Sequence, residues 1–287
     1  MFSHLSGSSR VFGILGHPVR HTLSPAMQNS ALQACGIDGV FVPFDVRPER
    51  LGEAVAGLRA LGVRGVNVTI PHKTGVVPYL DALDESAEAA GAVNTISNED
   101  GRLVGYNTDG DGLLRSLAED FAVTPENSTV VIIGAGGAAR GAVAAICCAG
   151  ARRVAIANRS RDRAISLVAA MKGRYPDTIL GVAGFGEQLT PILREAGLVV
   201  NTTSLGMNGE VIAGLELEAL DRNAVVYDMV YAPPVTPLLQ EAQRLGLRYA
   251  NGLGMLAAQG ELAFRIWTGF LPPLGLMKQV LAGISAS

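Results

Sequence analysis

The stretch that decides the fold is STVVIIGAGGAARGAVAAICCAGARRVAIANRS, residues 128–160. An apolar run leads into a glycine turn, a helix-like segment follows, and a second apolar run ends the stretch. Gly134, Gly136 and Ala139 match the pattern G-x-G-x-x-G/A, in which glycine allows backbone to approach a pyrophosphate closely. The strand–turn–helix–strand order predicts a Rossmann-type dinucleotide-binding unit, with a purely structural turn as the alternative.

The residues after the second strand indicate which dinucleotide binds. NAD sites usually place a carboxylate there, which accepts a hydrogen bond from the ribose 2′-hydroxyl. This chain has Asn158, Arg159 and Ser160, followed by Arg163. Guanidinium groups and a hydroxyl suit a 2′-phosphate, so NADP is predicted over NAD, unless these are ordinary solvated charges. The residues expected at the cofactor are Gly134, Ala135, Gly136, Gly137, Ala138, Asn158, Arg159, Ser160 and Arg163.

Composition narrows the class of protein. The chain has 287 residues, of which 48% are hydrophobic, 17% charged and 5% aromatic, with a net charge of −3. This length and hydrophobic content are enough for one large domain or two ordinary ones. The low aromatic content and slight negative charge are not those of a nucleic-acid binder, which normally has a basic face with aromatic residues. The sequence has three cysteines, which fits a reducing compartment, and it has neither a signal-peptide pattern nor an apolar run of membrane-spanning length. These features predict a cytoplasmic protein without a membrane partner, and the composition predicts no nucleic-acid partner.

Apolar runs alternate with helix-like stretches along the chain, which predicts an α/β fold with parallel sheets. A first block of this rhythm ends near residue 110, and the rhythm restarts at the glycine turn. The predicted strands are Val11–Leu15, Val40–Asp45, Val66–Ile70, Ile179–Ala183, Leu198–Asn201, Ala224–Met229 and Arg248–Ala250. The predicted helices are Pro25–Ala34, Arg50–Leu61 and 111–121, and a mostly helical tail begins near Met255. The stretch DALDESAEAAGAVNTI, residues 81–96, is predicted to be a helix that runs into a short strand.

Polar groups cluster where apolar runs of the first block meet turns, which is where binding groups usually lie. They are Thr22, Ser24, Thr69, Lys73, Asn94, Asn107 and Asp109. Hydroxyls, amides, an amine and a carboxylate would together suit a small polyhydroxylated acid.

Five of these groups also have a structural interpretation. Ser24 and Asp109 would suit helix N-caps, Asn94 and Asn107 would suit turns, and a lysine such as Lys73 is usually solvated.

Taken together, nine ordered stretches resemble the shikimate dehydrogenase family over nearly the whole chain. They are GHPVRHTLSP, GVNVTIPHK, GAVNTI, GYNTDGDG, GAGGAARG, ANRS, NTTSLGM, YDMVYAPPVTPLL and GLGMLAAQGELAFRIWTG. The resemblance implies a substrate domain formed by residues 1–110 and 253–287, an NADP-binding domain formed by residues 111–252, and a cleft between them. The implied reaction is the reversible reduction of 3-dehydroshikimate to shikimate by NADPH, a step of aromatic amino-acid biosynthesis.

The resemblance also implies roles for individual residues. Lys73 and Asp109 match the family's catalytic pair. The residues implied at the substrate are Thr22, Ser24, Thr69, Lys73, Asn94, Asp109, Tyr231 and Gln259. Those implied at the nicotinamide end of the cofactor are Thr202 and Ser204 in the loop 201–207, then Met229, Gly252 and Met255.

Two positions depart from the family pattern. Thr22 stands where serine is usual and adds a methyl group, and Gln28 replaces the usual histidine. The first leaves open a quinate/shikimate dehydrogenase that uses either cofactor. A binding or sensor protein without turnover is the other alternative, against which the retention of both Lys73 and Asp109 argues. The number of subunits is not set by the sequence, and a homodimer is one assembly that it allows.

Overall fold

The computed structural model describes residues 5–285, which form two compact units. One unit comprises the chain up to Gly112 and from Leu256 onward, and the other comprises Leu113–Met255. The sequence boundaries, near residues 110 and 253, lie a few residues earlier.

The first unit is a six-stranded sheet with helices, in the strand order β2-β1-β3-β5-β6-β4. Its strands are β1 (Arg10–Gly16), β2 (Gly39–Asp45), β3 (Gly65–Val68), β4 (Ala82–Leu83), β5 (Thr95–Glu99) and β6 (Arg102–Tyr106). Its helices are α1 (Ser24–Ala34), α2 (Leu51–Ala60), α3 (Glu85–Ala90) and the start of α4 (Asp109–Phe121). An apolar core lies beneath β1, β3 and α2, and it includes Leu15, Val55 and Val66.

The prediction of parallel sheets is wrong for this unit. β5 runs antiparallel to both β3 and β6. β4 and β6 have no counterpart among the predicted strands, and β4 lies in a stretch that was predicted to be helical. The two-residue turn Asp100–Gly101 explains the hairpin, because both residues have positive φ (51° and 97°), as a tight type I′ turn requires. β3 also ends at Val68, so Thr69 lies just beyond the strand and not within it.

The helix that carries Trp267, residues Leu253–Thr268, packs on the first sheet. Trp267 lies against Phe12 and Phe41, and its indole N–H donates to the Ile96 carbonyl at 2.9 Å. A Cβ on Gly65 would come within 2.2 Å of the indole ring, so only glycine permits this contact. From Leu256 onward this helix therefore belongs to the first unit, although its sequence follows that of the second unit.

The second unit is an all-parallel sheet in the strand order β12-β11-β10-β7-β8-β9. Its strands are β7 (Thr129–Ile133), β8 (Arg153–Ala157), β9 (Ile179–Ala183), β10 (Ala196–Asn201), β11 (Val225–Asp228) and β12 (Arg248–Ala250). Its helices are α5 (Gly137–Cys148), α6 (Arg161–Lys172), α7 (Thr190–Leu193) and α8 (Pro237–Arg244); α9 (Leu253–Thr268) and α10 (Leu276–Ser285) follow. This is the doubly wound Rossmann order, whose topological switch point lies between β7 and β10.

The carboxyl ends of four strands in the second unit lie in register. Asn201 is paired with both Ile133 and Asp228, and Ile133 is paired with Ala157. Ligands of open α/β sheets bind outside this edge, at the switch point. Within residues 5–285, no helix is both long and apolar enough to cross a bilayer.

Candidate functional site

The predicted polar residues of the first unit lie beyond one edge of its sheet. Strand pairing places Leu15 beside Val68, and Asn67 beside Thr95, which in turn pairs with Tyr106. β1 and β3 end at this edge, antiparallel β5 begins there, and β6 ends there. The residues that follow or precede these strand ends include Thr69, Asn94, Asn107 and Asp109.

Asn94 connects several groups at this edge. Its Oδ1 accepts the Thr108 backbone N–H at 2.8 Å, and its Nδ2 donates to Asp109 Oδ1 at 2.9 Å. Because a backbone N–H can only donate, it fixes which side of the amide faces it. The Nδ2 group also lies 2.9 Å from Thr108 Oγ1 and 3.4 Å from Gln259 Oε1. Asn94 is thus not simply a turn residue; it orients Asp109.

Lys73 and Asp109 form a close ion pair. Lys73 Nζ donates to Asp109 Oδ2, and the side chains are 13% and 6% exposed. The Lys73 carbonyl accepts the Val93 N–H at 2.7 Å, which fixes the lysine backbone beside β5. The solvated-lysine interpretation is therefore wrong. Asp109 is the first residue of α4, but its carboxylate binds Lys73 and Asn94, and Asn107 accepts the Asp109 N–H at 3.1 Å.

Gln259 joins this cluster from α9. Its backbone carbonyl accepts the Thr108 hydroxyl at 3.2 Å, and its Nε2 donates to the Leu256 carbonyl at 2.8 Å. The residue is buried, so its amide is held in one orientation beside Asn94. A residue 165 positions from Asn94 in sequence is thereby brought beside the amide that binds Asp109.

Thr22 and Ser24 lie together at the start of α1. The Ser24 backbone N–H donates to Thr22 Oγ1 at 3.3 Å. Ser24 is buried, yet no side chain caps α1, so the N-cap interpretation of Ser24 is wrong. Both hydroxyls remain available as substrate groups.

Asn67 is a site residue that sequence reasoning missed. Its Nδ2 donates to the Asn94 carbonyl at 3.3 Å and to Thr95 Oγ1 at 3.1 Å. Its buried Oδ1 has no hydrogen-bond partner among the described residues. The signal was a polar side chain inside the apolar strand GVNV, two positions before Thr69 and so on the same face in an extended chain.

Gln28, the second departure from the family pattern, is buried on α1. Its Nε2 donates to the Gly260 carbonyl at 3.0 Å, whereas its Oε1 has no partner in the described part of the chain. Gln28 therefore binds α1 to the backbone that follows Gln259.

Tyr231 lies in the second unit, after β11, whereas the other predicted substrate residues lie in the first. Its assignment to the substrate stays a prediction.

The glycine turn of the second unit fits a phosphate group. Gly136 is the N-cap of α5, no side chain caps this helix, and a Cβ on Gly136 would meet nothing within 4 Å. The first N–H groups of α5 therefore have no side-chain cap, which leaves them for an anion at the helix N-terminus. Gly134 has a positive φ of 117°, and a Cβ there would come within 2.5 Å of Thr202 Oγ1. Glycine is therefore needed at that position, next to the loop after β10.

The basic residues after β8 have the character expected for a 2′-phosphate site. Arg159, Ser160 and Arg163 are exposed, and neither arginine forms an ion pair with another residue of the described range. The Asn158 side chain donates to the Ser160 carbonyl at 2.7 Å and closes the turn into α6. No carboxylate ends the strand, so the donor set suits a phosphate better than a hydroxyl.

The residues predicted at the nicotinamide end of the cofactor lie together. The Met229 N–H donates to the Asn201 carbonyl at 2.9 Å, and a Cβ on Gly252 would come within 2.2 Å of the Met229 carbonyl oxygen. Thr202 Oγ1 donates to the Ile133 carbonyl at 2.8 Å. Ser204 is exposed in the same loop, and the buried Met255 follows Gly252 at the start of α9.

A buried carboxylate, Asp228, joins the loops at this end. Its Oδ1 accepts from Asn201 Nδ2 at 2.9 Å and from the Val230 N–H at 3.0 Å, and its Oδ2 accepts from the Thr236 hydroxyl at 2.6 Å. Thr236 also caps α8 by accepting the Leu239 N–H. Burial raises the pKa of Asp228, and these hydrogen bonds offset part of that increase.

Comparison with known proteins places these observations in one family. The model described as the shikimate dehydrogenase substrate binding domain matches residues 14–96, and the model described as shikimate/quinate 5-dehydrogenase matches residues 116–224. The shikimate 5′-dehydrogenase C-terminal domain matches residues 252–282. A protein of Citrifermentans bemidjiense named shikimate dehydrogenase (NADP(+)) is 54% identical over 97% of this chain and 96% of its own length.

Solved structures agree with this result. A crystal structure of a shikimate dehydrogenase in complex with NADP⁺ has 36% identity and a TM-score of 0.89, and the match covers 99% of each chain. The shikimate 5-dehydrogenase of Listeria monocytogenes, solved in complex with shikimate and NAD, has 35% identity and a TM-score of 0.88. That match covers 98% of this chain and 99% of the other.

Asp228→Asn tests the electrostatics of the buried carboxylate. The pKa of Asp228 is higher in the folded protein than its ordinary value of 3.8. Protonation of Asp228 therefore stabilises the fold fully below pH 3.8, and this stabilisation is lost as pH rises through the folded pKa. Asparagine does not titrate. The free energy of unfolding of the wild type minus that of Asp228→Asn should therefore be most positive at acid pH and decrease as pH rises from about 4. Urea unfolding of both proteins across this range measures it, and a difference that grew with pH would contradict the assignment.

Proposed function

The chain belongs to the shikimate dehydrogenase family, and we propose that it catalyses the reversible, NADPH-dependent reduction of 3-dehydroshikimate to shikimate. The observation that carries the proposal is the cluster of Lys73, Asp109 and Asn94, because it supplies a cation, its orienting carboxylate and an amide at one sheet edge. The substrate is a small hydroxylated acid, and the enzyme is an oxidoreductase.

The first unit offers groups for each part of such a substrate. Thr22 and Ser24 place two hydroxyls at the start of α1, which suits hydrogen bonds to the carboxylate. The groups proposed to hold the ring hydroxyls are Thr69, Lys73, Asn94, Asp109 and Gln259. The unpartnered Oδ1 of Asn67 adds an acceptor beside them.

Lys73 is proposed to act on the reacting oxygen. Reduction of a carbonyl builds negative charge on that oxygen, and an ammonium within hydrogen-bond reach stabilises the charge and supplies the proton. One Lys73 N–H is directed to Asp109, and an ammonium has three donors, so others remain for the substrate. Asp109, itself held by Asn94, orients the lysine, and in the oxidation direction the lysine receives the proton.

The cofactor is NADP, which supplies the hydride in reduction and accepts it in oxidation. The N-terminus of α5, with Gly134 and Gly136, would hold the pyrophosphate. Arg159, Ser160 and Arg163 would bind the 2′-phosphate. Residues Thr202, Ser204, Met229, Gly252 and Met255 would line the nicotinamide end, where the Asp228 hydrogen bonds fix the loops.

Quinate is the second candidate substrate. Thr22 carries a methyl group next to the hydroxyl that would meet the carboxylate, so the shape of this end differs from that of the usual serine. Two further predictions are open to test. Sedimentation of the purified protein would test the homodimer, and cell fractionation would test the cytoplasmic localisation.

The proposed function is tested by changing substrate and cofactor separately. NADPH formation from shikimate and NADP⁺ should have a higher kcat/KM than quinate or NAD⁺ gives in any combination. The cofactor preference is expected because arginines, and no carboxylate, follow β8 at the proposed 2′-phosphate site. The substrate preference is supported by the relative named shikimate dehydrogenase (NADP(+)). A higher kcat/KM for quinate with NAD⁺ would support the second candidate and contradict the first.

Lys73→Ala tests the acid–base role. It should lower kcat for shikimate oxidation by about 10²–10⁴-fold, the usual contribution of a positioned acid or base. The dissociation constant of NADP⁺, measured by fluorescence titration, should change little, because the residues predicted to bind the phosphates lie in the other unit. Lys172→Ala, at the exposed end of α6, is the matched control and should have wild-type kcat. A wild-type kcat for Lys73→Ala would exclude the lysine from the chemistry.

A further inference from the structure

Tyr227 is a buried tyrosine that the mechanism above does not use. It lies in β11 with no exposed surface, and its phenolic oxygen is 2.8 Å from Ser116 Oγ and 3.2 Å from the Met255 backbone nitrogen. Ser116 belongs to α4 and Met255 to the first turn of α9. One hydroxyl thus joins the two helices that also carry Asp109 and Gln259.

The direction of each hydrogen bond follows from the donors present. The Met255 N–H can only donate, so the Tyr227 oxygen accepts from it. Ser116 Oγ donates its single proton to Asp120 Oδ2 at 3.0 Å, so it accepts from Tyr227. The chain runs from Met255 through Tyr227 and Ser116 to the Asp120 carboxylate. Burial raises the pKa of Tyr227 to about 12, so its proton is retained near neutral pH.

Gly254 permits the close contact between α4 and α9. A Cβ on Gly254 would lie 2.3 Å from Ser116 Oγ and 2.8 Å from Asp120 Oδ2. The start of α9 therefore lies directly against α4, and the Tyr227 hydroxyl fixes it there. Because Met255 is an otherwise unpaired donor of the first turn, the tyrosine also acts as a cap for α9.

The two helices are joined again within the first unit. There the Thr108 hydroxyl donates to the Gln259 carbonyl at 3.2 Å, next to Asp109. Ser116 is about two helical turns beyond Asp109, and Gln259 is about one turn beyond Met255. A shift or rotation of either helix at the Tyr227 contact would therefore displace a predicted substrate group.

We propose that Tyr227 is a positioning residue for the reaction: its hydroxyl fixes α4 against α9, and through these helices it sets the position of Asp109 relative to Gln259. The role rests on the proposed function. Tyr227 itself is not proposed to touch substrate or cofactor.

Tyr227→Phe removes only the hydroxyl and keeps the ring that fills the core. Loss of one net hydrogen bond changes an equilibrium constant by up to about tenfold. We expect kcat/KM for shikimate to fall about tenfold, with a rise of about threefold or more in KM for shikimate. Ser116→Ala should have the same effect. The double variant should lose no more than about twofold beyond the worse single variant, because both substitutions break one chain of bonds.

Tyr175→Phe is the matched control. It removes a hydroxyl of the same unit whose contact is with Cys148 and not with α4 or α9, so it should keep the wild-type kcat and KM. Amide hydrogen exchange provides a readout independent of activity: the Met255 amide should exchange faster in Tyr227→Phe than in the wild type and in Tyr175→Phe.

A role in stability alone would reduce the concentration of active sites and leave KM for shikimate unchanged, and that result would overturn the proposal. If Tyr227→Phe does not fold, Ser116→Ala tests the proposal by the same KM criterion.

Failure of the proposed function and failure of the positioning role give different results. Absence of shikimate turnover by the wild type overturns the proposed function. Wild-type turnover together with an unchanged KM in the variants overturns the positioning role alone.

Discussion

Both the oxygen and the nitrogen of the Asn94 carboxamide form hydrogen bonds, and the polar cluster of the first unit depends on them. The oxygen accepts the Thr108 N–H at the start of α4, and the nitrogen donates to Asp109, the first residue of that helix. A buried polar group without a partner costs about 1–3 kcal/mol, so reorienting this amide would be expensive. The position of Asp109, and through it that of Lys73, follows from the orientation of one side chain between β3 and β6.

The second unit uses the same physical device at a different edge. The carboxyl ends of β7, β10 and β11 lie in register, and side chains at those ends bind the loops that follow them. Asp228 is the centre of that set, as Asn94 is in the first unit. In both cases a buried polar residue at a strand end forms hydrogen bonds to the segments that follow strands at the same sheet edge.

Sequence patterns predicted the parts of the molecule that have local causes. The glycine turn between β7 and α5 and the arginines after β8 are readable because each feature lies within a few residues of the strand that positions it. The same holds for the polar residues after β3 and β6, although the strand preceding Asn107 was missed. The tight Asp100–Gly101 turn was the available signal for that hairpin, and its antiparallel pairing made the sheet mixed.

Contacts between distant parts of the chain could not be predicted in this way. Gln259 reaches Asn94, Gln28 binds the Gly260 carbonyl, and Tyr227 joins Ser116 to Met255 only in the folded chain. Asn67 was predicted only as a strand residue, because its hydrogen bonds depend on Asn94 and Thr95 at the start of the neighbouring strand. Hydrogen-bond partners of this kind depend on helix placement, which hydrophobic periodicity specifies only approximately.

The central claim is that Lys73 and Asp109 act as one unit, and a double-mutant cycle on kcat/KM for shikimate tests it most directly. Lys73→Met and Asp109→Asn should each lower kcat/KM by about a hundredfold or more. If the carboxylate acts through the lysine, the double variant should fall within about tenfold of the worse single variant, because a group that acts as a unit is lost only once. Losses that multiplied in the double variant would show that the two residues act independently and would contradict the account.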